Sequence, residues 1–392
     1  MSAGILDESP FLTAPDEGYS PMLDHERVRR RRACAQALAG GVREVSAEAV
    51  VRRVCALQAQ DALAADLGIR ARGRDITAPA VRAAYEEERS IVRGWYLRGT
   101  LHTVCSEDAR WILALLAPRI LAATGRRYHQ LGLHEDLRRR ADHLLRQVLT
   151  THGPLIRAEL TGHLTGIGIP PDGQAPFHLI RHAALTGVLC HGPRRAGEAT
   201  YVLLDDWLPT RGGDAPRDAD AALAELARRY LAAHAPAGPE DFAVWSGLPL
   251  SFARRAWAML AQAGGITADS GLTELTGRPG EQGRPPEAPD TVAAPDAPDA
   301  PDVRMLPAYD NYLLAYRTRE ACVPAAHEAD VRPGGGIIRP TVIADGLTVA
   351  TWARRDAGRS ITVRAFEPLP PRTQAAVDAE ISDVSRFCRQ SA

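Results

Sequence analysis

The strongest constraint on the fold is an internal repeat. Residues 137–149 place Leu137, Ala141, Leu144, Leu145, Val148 and Leu149 on one helical stripe, and residues 223–231 do the same with Leu223, Leu226, Ala227, Tyr230 and Leu231. Both stripes run into Leu-x-x-His-x-Pro, as Leu149, His152, Pro154 and as Leu231, His234, Pro236, at an offset of 82 residues. A residue before proline is pushed out of helical geometry, so each helix should end near its histidine. A short second helix follows, "IRAELTGHL" or "PEDFAVWSG", and then a third, "APFHLIRHAALTG" or "LSFARRAWAML". The first of the two copies closes on "GVLCHGPRRAGEATYVLL", which is β-like with a polar turn around Arg194 and Gly197.

The N-terminal third reads in the same way. Residues 27–39 suit a first helix, and Ser46 caps a second that carries Val50, Val54 and Leu57 at i, i+4 and i+7. "APAVRAAYEEE" suits a third, and "IVRGWYLRGTLHTV" supplies two strands that bend near Gly99. Ser106, with Glu107 and Asp108 after it, starts the next helix. Three helices and a hairpin form the winged-helix plan, a relative of helix-turn-helix. The expectation is an α+β chain with three tandem winged-helix units, at 25–124, 125–212 and 216–276. A Pro/Ala/Asp-rich segment, 277–302, cannot bury an apolar face and should be a disordered loop. A β-rich segment with a turn at Asp345 and Gly346, and a final helix from about Arg372 to Cys388, complete the chain at 303–392.

Composition removes whole mechanisms. All 47 basic residues are arginine, so a Walker phosphate loop, a pyridoxal phosphate Schiff base and a lysine lyase are excluded. The net charge of −1 hides an asymmetry: residues 1–26 carry −6 and residues 281–302 carry −5, which leaves +10 on the rest. Such a body attracts a polyanion. The six cysteines, Cys34, Cys55, Cys105, Cys190, Cys322 and Cys388, form no CxxC pair, against both a disulfide framework and a thiolate zinc site. The first 26 residues lack the pattern of a signal peptide, and nowhere do roughly 18 apolar residues run together. A cytoplasmic, nucleoid-associated protein is expected, with no membrane contact.

Conventional catalytic motifs are missing. The 12 histidines include no HExxH and none pairs with a carboxylate at ligand spacing, so no metal is expected; there is no GxSxG elbow, and "GIGIPPDG" at 166–173 is a plain loop. His152 and His234 recur at one position of the repeat, which points to packing or turn roles. What remains is "ALQAQD" at 56–61, with Gln58 and Gln60 on either side of Ala59. On a helix, residues two apart diverge; in an extended chain they share a face. Two converging amides hold a water or stabilise a positive sugar without being strong bases. The same spacing also fits one glutamine that caps the helix end and one that faces solvent.

Four stretches in order, "LQAQD" (57–61), "RGTLHTV" (98–104), "LPAYDNYLLAYRTR" (306–319) and "VIADGLTVATWARR" (342–355), resemble the winged-helix AlkZ/YcaQ family of DNA glycosylases. The resemblance spans most of the folded chain and implies three winged-helix units in a C shape around DNA. It implies catalysis by a glutamine-aliphatic-glutamine motif, which falls on Gln58, Ala59 and Gln60 and matches the AlkZ branch. The YcaQ branch has an aspartate where this chain has Gln60; Asp61 lies one residue further on. It further implies a hydrolase of N7-alkylated guanine in double-stranded DNA, in self-resistance to an alkylating natural product or in general repair. With no lysine to form a Schiff base it should be monofunctional, and a monomer without a cofactor is expected.

Other residues are assigned more locally. Arg98 and His102 suit phosphate or lesion contacts from a strand, or equally support of the hairpin. The pairs Arg194/Arg195 and Arg354/Arg355, like Arg126/Arg127, are candidate phosphate contacts against a default of solvated surface. Asp310, Tyr312 and Arg317, with Asp61, are assigned to the pocket or to a structural polar network, and Trp352 to the core. The rival reading is a winged-helix transcription regulator without catalytic activity; a noncatalytic lesion-binding protein is a third.

Overall fold

The computed structural model describes residues 21–208, 218–269, 271–276, 301–355 and 360–391. A helix, α1 (Pro21–Ala35), precedes three runs of elements that share one order: helix, short strand, helix, helix, hairpin. The first run is α2 (Ala47–Val54), β1 (Leu57–Gln58), α3 (Ala62–Arg72), α4 (Ala78–Glu86), β2 (Ile91–Trp95) and β3 (Leu101–Cys105). A long helix, α5 (Ser106–Gln130), leads into the second: α6 (Glu135–His152), β4 (Leu155–Ile156), α7 (Arg157–Thr165), α8 (Ala175–Leu185), β5 (Leu189–Arg195) and β6 (Glu198–Leu203). After α9 (Leu204–Trp207) come α10 (Ala219–His234), α11 (Pro239–Ser246), α12 (Leu250–Gln262), β7 (Ile266–Asp269) and β8 (Leu272–Leu275). In each run the short strand pairs with the second strand of the hairpin, giving sheets ordered β1-β3-β2 and β4-β6-β5. In the third it shrinks to one antiparallel bridge, Ala237 to Thr273.

Both expected helix ends at the repeated motif occur, since α6 stops at His152 and α10 at His234. The two histidines nevertheless live differently. His152 is exposed and stacks on His163, ring centroids 5.4 Å apart. His234 is fully buried; its Nδ1 donates to Tyr230 O (2.9 Å) and its Nε2 accepts from Asn311 Nδ2 (2.7 Å).

The N-terminal third departs from the sequence reading in three places. Helix α1 stands outside the first run, and Ala33 and Leu38 at its end pack with Tyr312, Leu313, Val331 and Ile343 from the C-terminal segment. Leu57 belongs to β1, because Cys55 takes a positive φ (65°, ψ −49°) in a tight turn, Ala56 N donating to Val54 O (2.8 Å), that ends α2 after Val54. Helix α3 escaped notice altogether. It is buried on all sides, Asp66, Arg70 and Arg72 included, so it has no apolar stripe to read.

The C-terminal segment contributes β9 (Val303–Leu306), α13 (Asn311–Leu314), α14 (Glu328–Val331), β10 (Thr341–Ala344), β11 (Leu347–Arg355), β12 (Ser360–Ala365) and α15 (Pro371–Ser391). The strands form one sheet in the order β12-β11-β10-β9, with the expected turn at Asp345 and Gly346 (φ 47° and 80°). Trp352 is in the core, its Nε1 donating to Leu306 O (2.8 Å). All six cysteines are free thiols. Of the segment expected to be a disordered loop, residues 277–300 lie outside the described residues.

A buried ion pair fastens this segment to the first run. Arg72 donates from Nη1 to Asp310 Oδ2 (2.9 Å) and from Nη2 to Asp310 Oδ1 (2.7 Å), and both side chains are wholly inaccessible. Arg72 also reaches Gln36 Oε1 and Gly68 O, while Asp310 Oδ1 caps α13 by accepting from Tyr312 N. Removing one partner strands a buried charge. Asp310→Ala should therefore lower stability by about 3–5 kcal/mol, measured by urea unfolding.

Burial also holds three histidines neutral: His102, His191 and His234 are each pushed down to about 3, in every case mainly by desolvation. The unfolded chain binds these protons near its ordinary histidine pKa of about 6.5 and the folded chain does not. Their stabilising effect is thus whole above that value and is lost as pH falls toward about 3. Three protons taken up on unfolding near pH 5 correspond to a slope of about 4 kcal/mol per pH unit. Chemical denaturation between pH 7 and pH 4 should show this steep acid loss, and His234→Asn should flatten it.

Candidate active site

The helix break at Cys55 throws the chain into an extended path along β3. The register is Leu57 opposite Thr103 and Gln58 opposite His102, and Ala59 N continues the ladder by donating to Leu101 O (2.8 Å). Alternation along this strand sends Ala59 inward, fully buried, and Gln58 and Gln60 outward together. Gln58 Nε2 donates to Gln60 Oε1 at 2.8 Å; Gln58 is half-buried and Gln60 exposed. The two amides therefore meet at a surface that a ligand can approach. The small middle residue fits its packed position.

Two arginines hold this segment. Arg93, in the middle of β2, donates from Nε to Ala59 O (2.8 Å) and from Nη2 to Gln60 O (3.1 Å). Arg98 donates from Nη2 to Gln58 Oε1 (3.0 Å) and to His102 Nε2 (3.3 Å), and from Nη1 to Trp245 O in α11. His102 Nδ1 donates to Thr100 O (3.0 Å). Desolvation lowers the guanidinium of Arg98 to about 10, and burial with the charge of Arg98 keeps His102 neutral. Asp61 is exposed but engaged, its Oδ1 capping α3 by accepting from Ala64 N (3.0 Å).

The other residues picked out from the sequence lie elsewhere. Arg194 donates from Nη2 to Asp66 Oδ2 (2.8 Å), which joins the second run's hairpin to α3 just beyond the amides. Arg195 pairs with Glu159. Arg354 and Arg355 are exposed on β11, on a sheet separate from the one that carries the amides, and Arg354 Nη1 lies 3.9 Å from Cys388 Sγ. Asp310 and Tyr312 are buried, and Tyr312 OH donates to Gly346 O (2.9 Å). Arg317 departs from the expected polar network: its side chain is exposed, and its backbone N–H donates to Asp241 Oδ1 (2.8 Å). Asn311 is buried instead, its Oδ1 accepting from Trp245 Nε1 (3.2 Å) and its Nδ2 donating to His234 Nε2 (2.7 Å).

Arg93 was missed, although an arginine in the middle of the apolar run "IVRGW" was a visible anomaly. Trp245 carries no local signal, since it acts through its carbonyl. Among the described residues no cluster of three or more His, Cys, Asp or Glu could hold a metal ion, and no helix is long and apolar enough to cross a membrane.

A curated relative, the "Interstrand DNA cross-link repair glycosylase" of Streptomyces sahachiroi, is 28% identical over 354 residues, 87% of this chain and 90% of that protein. The solved structure of Streptomyces sahachiroi DNA glycosylase AlkZ matches with a TM-score of 0.70 at 24% identity, covering 92% of this chain and 96% of that one, a likeness of fold. The family model for DNA glycosylase AlkZ-like proteins matches residues 51–387, a span from α2 to α15 that contains the amide pair. This chain belongs to the AlkZ-like DNA glycosylase family.

Proposed function

We propose that the chain is a monofunctional glycosylase that hydrolyses the N-glycosidic bond of N7-alkylated guanine in duplex DNA, bulky and crosslinking adducts included. The observation that carries this reading is the amide pair, Gln58 and Gln60, joined at 2.8 Å on an accessible surface. An N7-alkylated guanine is cationic and departs as a neutral base, so the site has little protonation to do. What it must supply is a positioned water and stabilisation of the oxocarbenium-like sugar. Gln60 Oε1 accepts one hydrogen bond from Gln58 and keeps a second lone pair. A water that donates to that lone pair turns its own oxygen toward the anomeric carbon. The amide oxygen of Gln60 also places negative partial charge near the developing cation.

The rest of the reading follows from the surroundings. Each of the three helix-strand-helix-helix-hairpin runs is taken as a winged helix, and together they embrace the duplex in a C-shaped clasp. With no lysine in the chain, no side-chain Schiff base forms on the abasic sugar, so strands stay intact. The relative's action on interstrand crosslinks supports the inclusion of bulky adducts, and service in self-resistance to an alkylating natural product or in general repair fits the same chemistry.

Duplex DNA that contains 7-methylguanine, or a bulkier N7 adduct, should lose the base with wild type under single turnover. Gln58→Ala and Gln60→Ala should each slow release by about 100-fold while binding within a few-fold of wild type. Scoring abasic sites and strand breaks in the same reactions checks both halves of the claim. Undiminished release by the two variants would remove the catalytic role of the amides, whereas sequence-specific binding with no release by wild type would remove the enzymatic reading in favour of a regulator.

A further inference from the structure

We propose that Arg98 is the positioning residue of the amide pair, fixing which atom of each glutamine faces the substrate; this rests on the glycosylase reading above. The turn that carries Arg98 is an unusual place for it. Arg98 (φ 55°, ψ 10°) and Gly99 (φ 66°) are the two central residues of a turn closed by Thr100 N donating to Leu97 O (3.1 Å). Both have positive φ, as in a type I′ turn, where Asn, Asp or Gly is favoured and arginine is not. An arginine kept in a disfavoured conformation calls for a reason outside the turn.

The guanidinium supplies it. Its Nη2 is occupied by Gln58 Oε1 and His102 Nε2, and its Nη1 by Trp245 O, so both of its terminal nitrogens are engaged by protein acceptors. The turn is clamped from two sides. A Cβ on Gly247, at the end of α11, would lie 2.9 Å from Arg98 Cγ, and one on Gly99 would lie 2.4 Å from Arg181 Nη2 of α8. Arg181 Nη2 also donates to Gly99 O (3.2 Å).

Donor and acceptor counting then sets the order of the whole group. Arginine only donates, so Gln58 must face it with Oε1. That leaves the NH2 of Gln58 toward Gln60, and an NH2 also only donates, so Gln60 must answer with its own oxygen. His102 joins the same scheme, because its Nδ1–H is given to Thr100 O and its Nε2 is left to accept. Without Arg98 each amide is free to rotate by half a turn. A Gln60 that presents NH2 in place of oxygen cannot take a hydrogen bond from the attacking water.

The test is Arg98→Gly, which suits the positive φ and leaves a space the size of the guanidinium. Single-turnover release of 7-methylguanine should fall roughly 10- to 100-fold, DNA affinity should change by less than about threefold, and the melting temperature should stay within a few degrees. Guanidinium chloride at non-denaturing concentration should restore part of the rate, and sodium chloride at equal ionic strength should not. An unchanged rate with weakened DNA binding makes Arg98 a phosphate contact and overturns the proposal. So does a rate loss that guanidinium leaves untouched and that comes with a lowered melting temperature, which assigns Arg98 to packing between elements. Wild type that releases no base sinks the glycosylase reading itself; wild type that releases it, matched by Arg98→Gly, sinks only the positioning role.

Discussion

The site depends on one strand pairing that is longer than its counterparts. In the second run the short strand passes straight from Ile156 into α7 at Arg157, and in the third the chain passes from Ala237 through Gly238 into α11 at Pro239. In the first run β1 begins at Leu57 but α3 waits until Ala62. The added length is "AQD": Ala59 extends the ladder to Leu101 O, Gln60 joins Gln58, and Asp61 caps the delayed helix. A chemical feature has thus been inserted where one copy of a repeated plan departs from the others. Each inserted residue has a structural partner that keeps the segment extended.

Electrostatically the centre is fixed and offers no free acid or base. Its carboxylate neighbour, Asp61, is used for capping, its histidine is kept uncharged by burial, and its nearest cation is bound to protein oxygens. A site of this kind is poorly suited to abstracting a proton and well suited to a substrate that carries its own positive charge. The absence of a strong acid or base is therefore consistent with the family to which the chain belongs. The anchoring from beyond the first run, by Trp245 O through Arg98 and by Asp310 through Arg72, ties the centre's geometry to the packing of the third run and the C-terminal segment.

Much of this was legible in the residues. Helices α6 and α10 could be read from their stripes and from the proline two residues past the histidine, both local rules. The i, i+2 convergence of Gln58 and Gln60 is one of two readings left open by the end of the Val50, Val54, Leu57 stripe, the other being one glutamine that caps the helix end and one that faces solvent. The two amides meet at 2.8 Å. Legibility failed where burial is complete or partners are remote. Helix α3 has no polar face to contrast with an apolar one, and its Arg72 is accommodated only because Asp310, 238 residues away, meets it. For Arg98 a phosphate or lesion contact and support of the hairpin stand level in the sequence, because nothing near it in the chain announces Trp245 or Gly247. Arg317, expected in a buried polar network with Asp310 and Tyr312, is exposed, while Asn311 is buried.

The central claim is that two oriented, non-titrating amides perform the catalytic step. Its most direct test is the rate enhancement of single-turnover base release, relative to spontaneous loss from the same alkylated duplex, across pH 6.5 to 9. With His102 held near 3 and Arg98 near 10, no group of the centre changes charge in that window. The enhancement should stay constant within about threefold, since a full ionisation would produce about tenfold per pH unit. A limb of that steepness within the window would reveal a titrating acid or base at work and contradict the account.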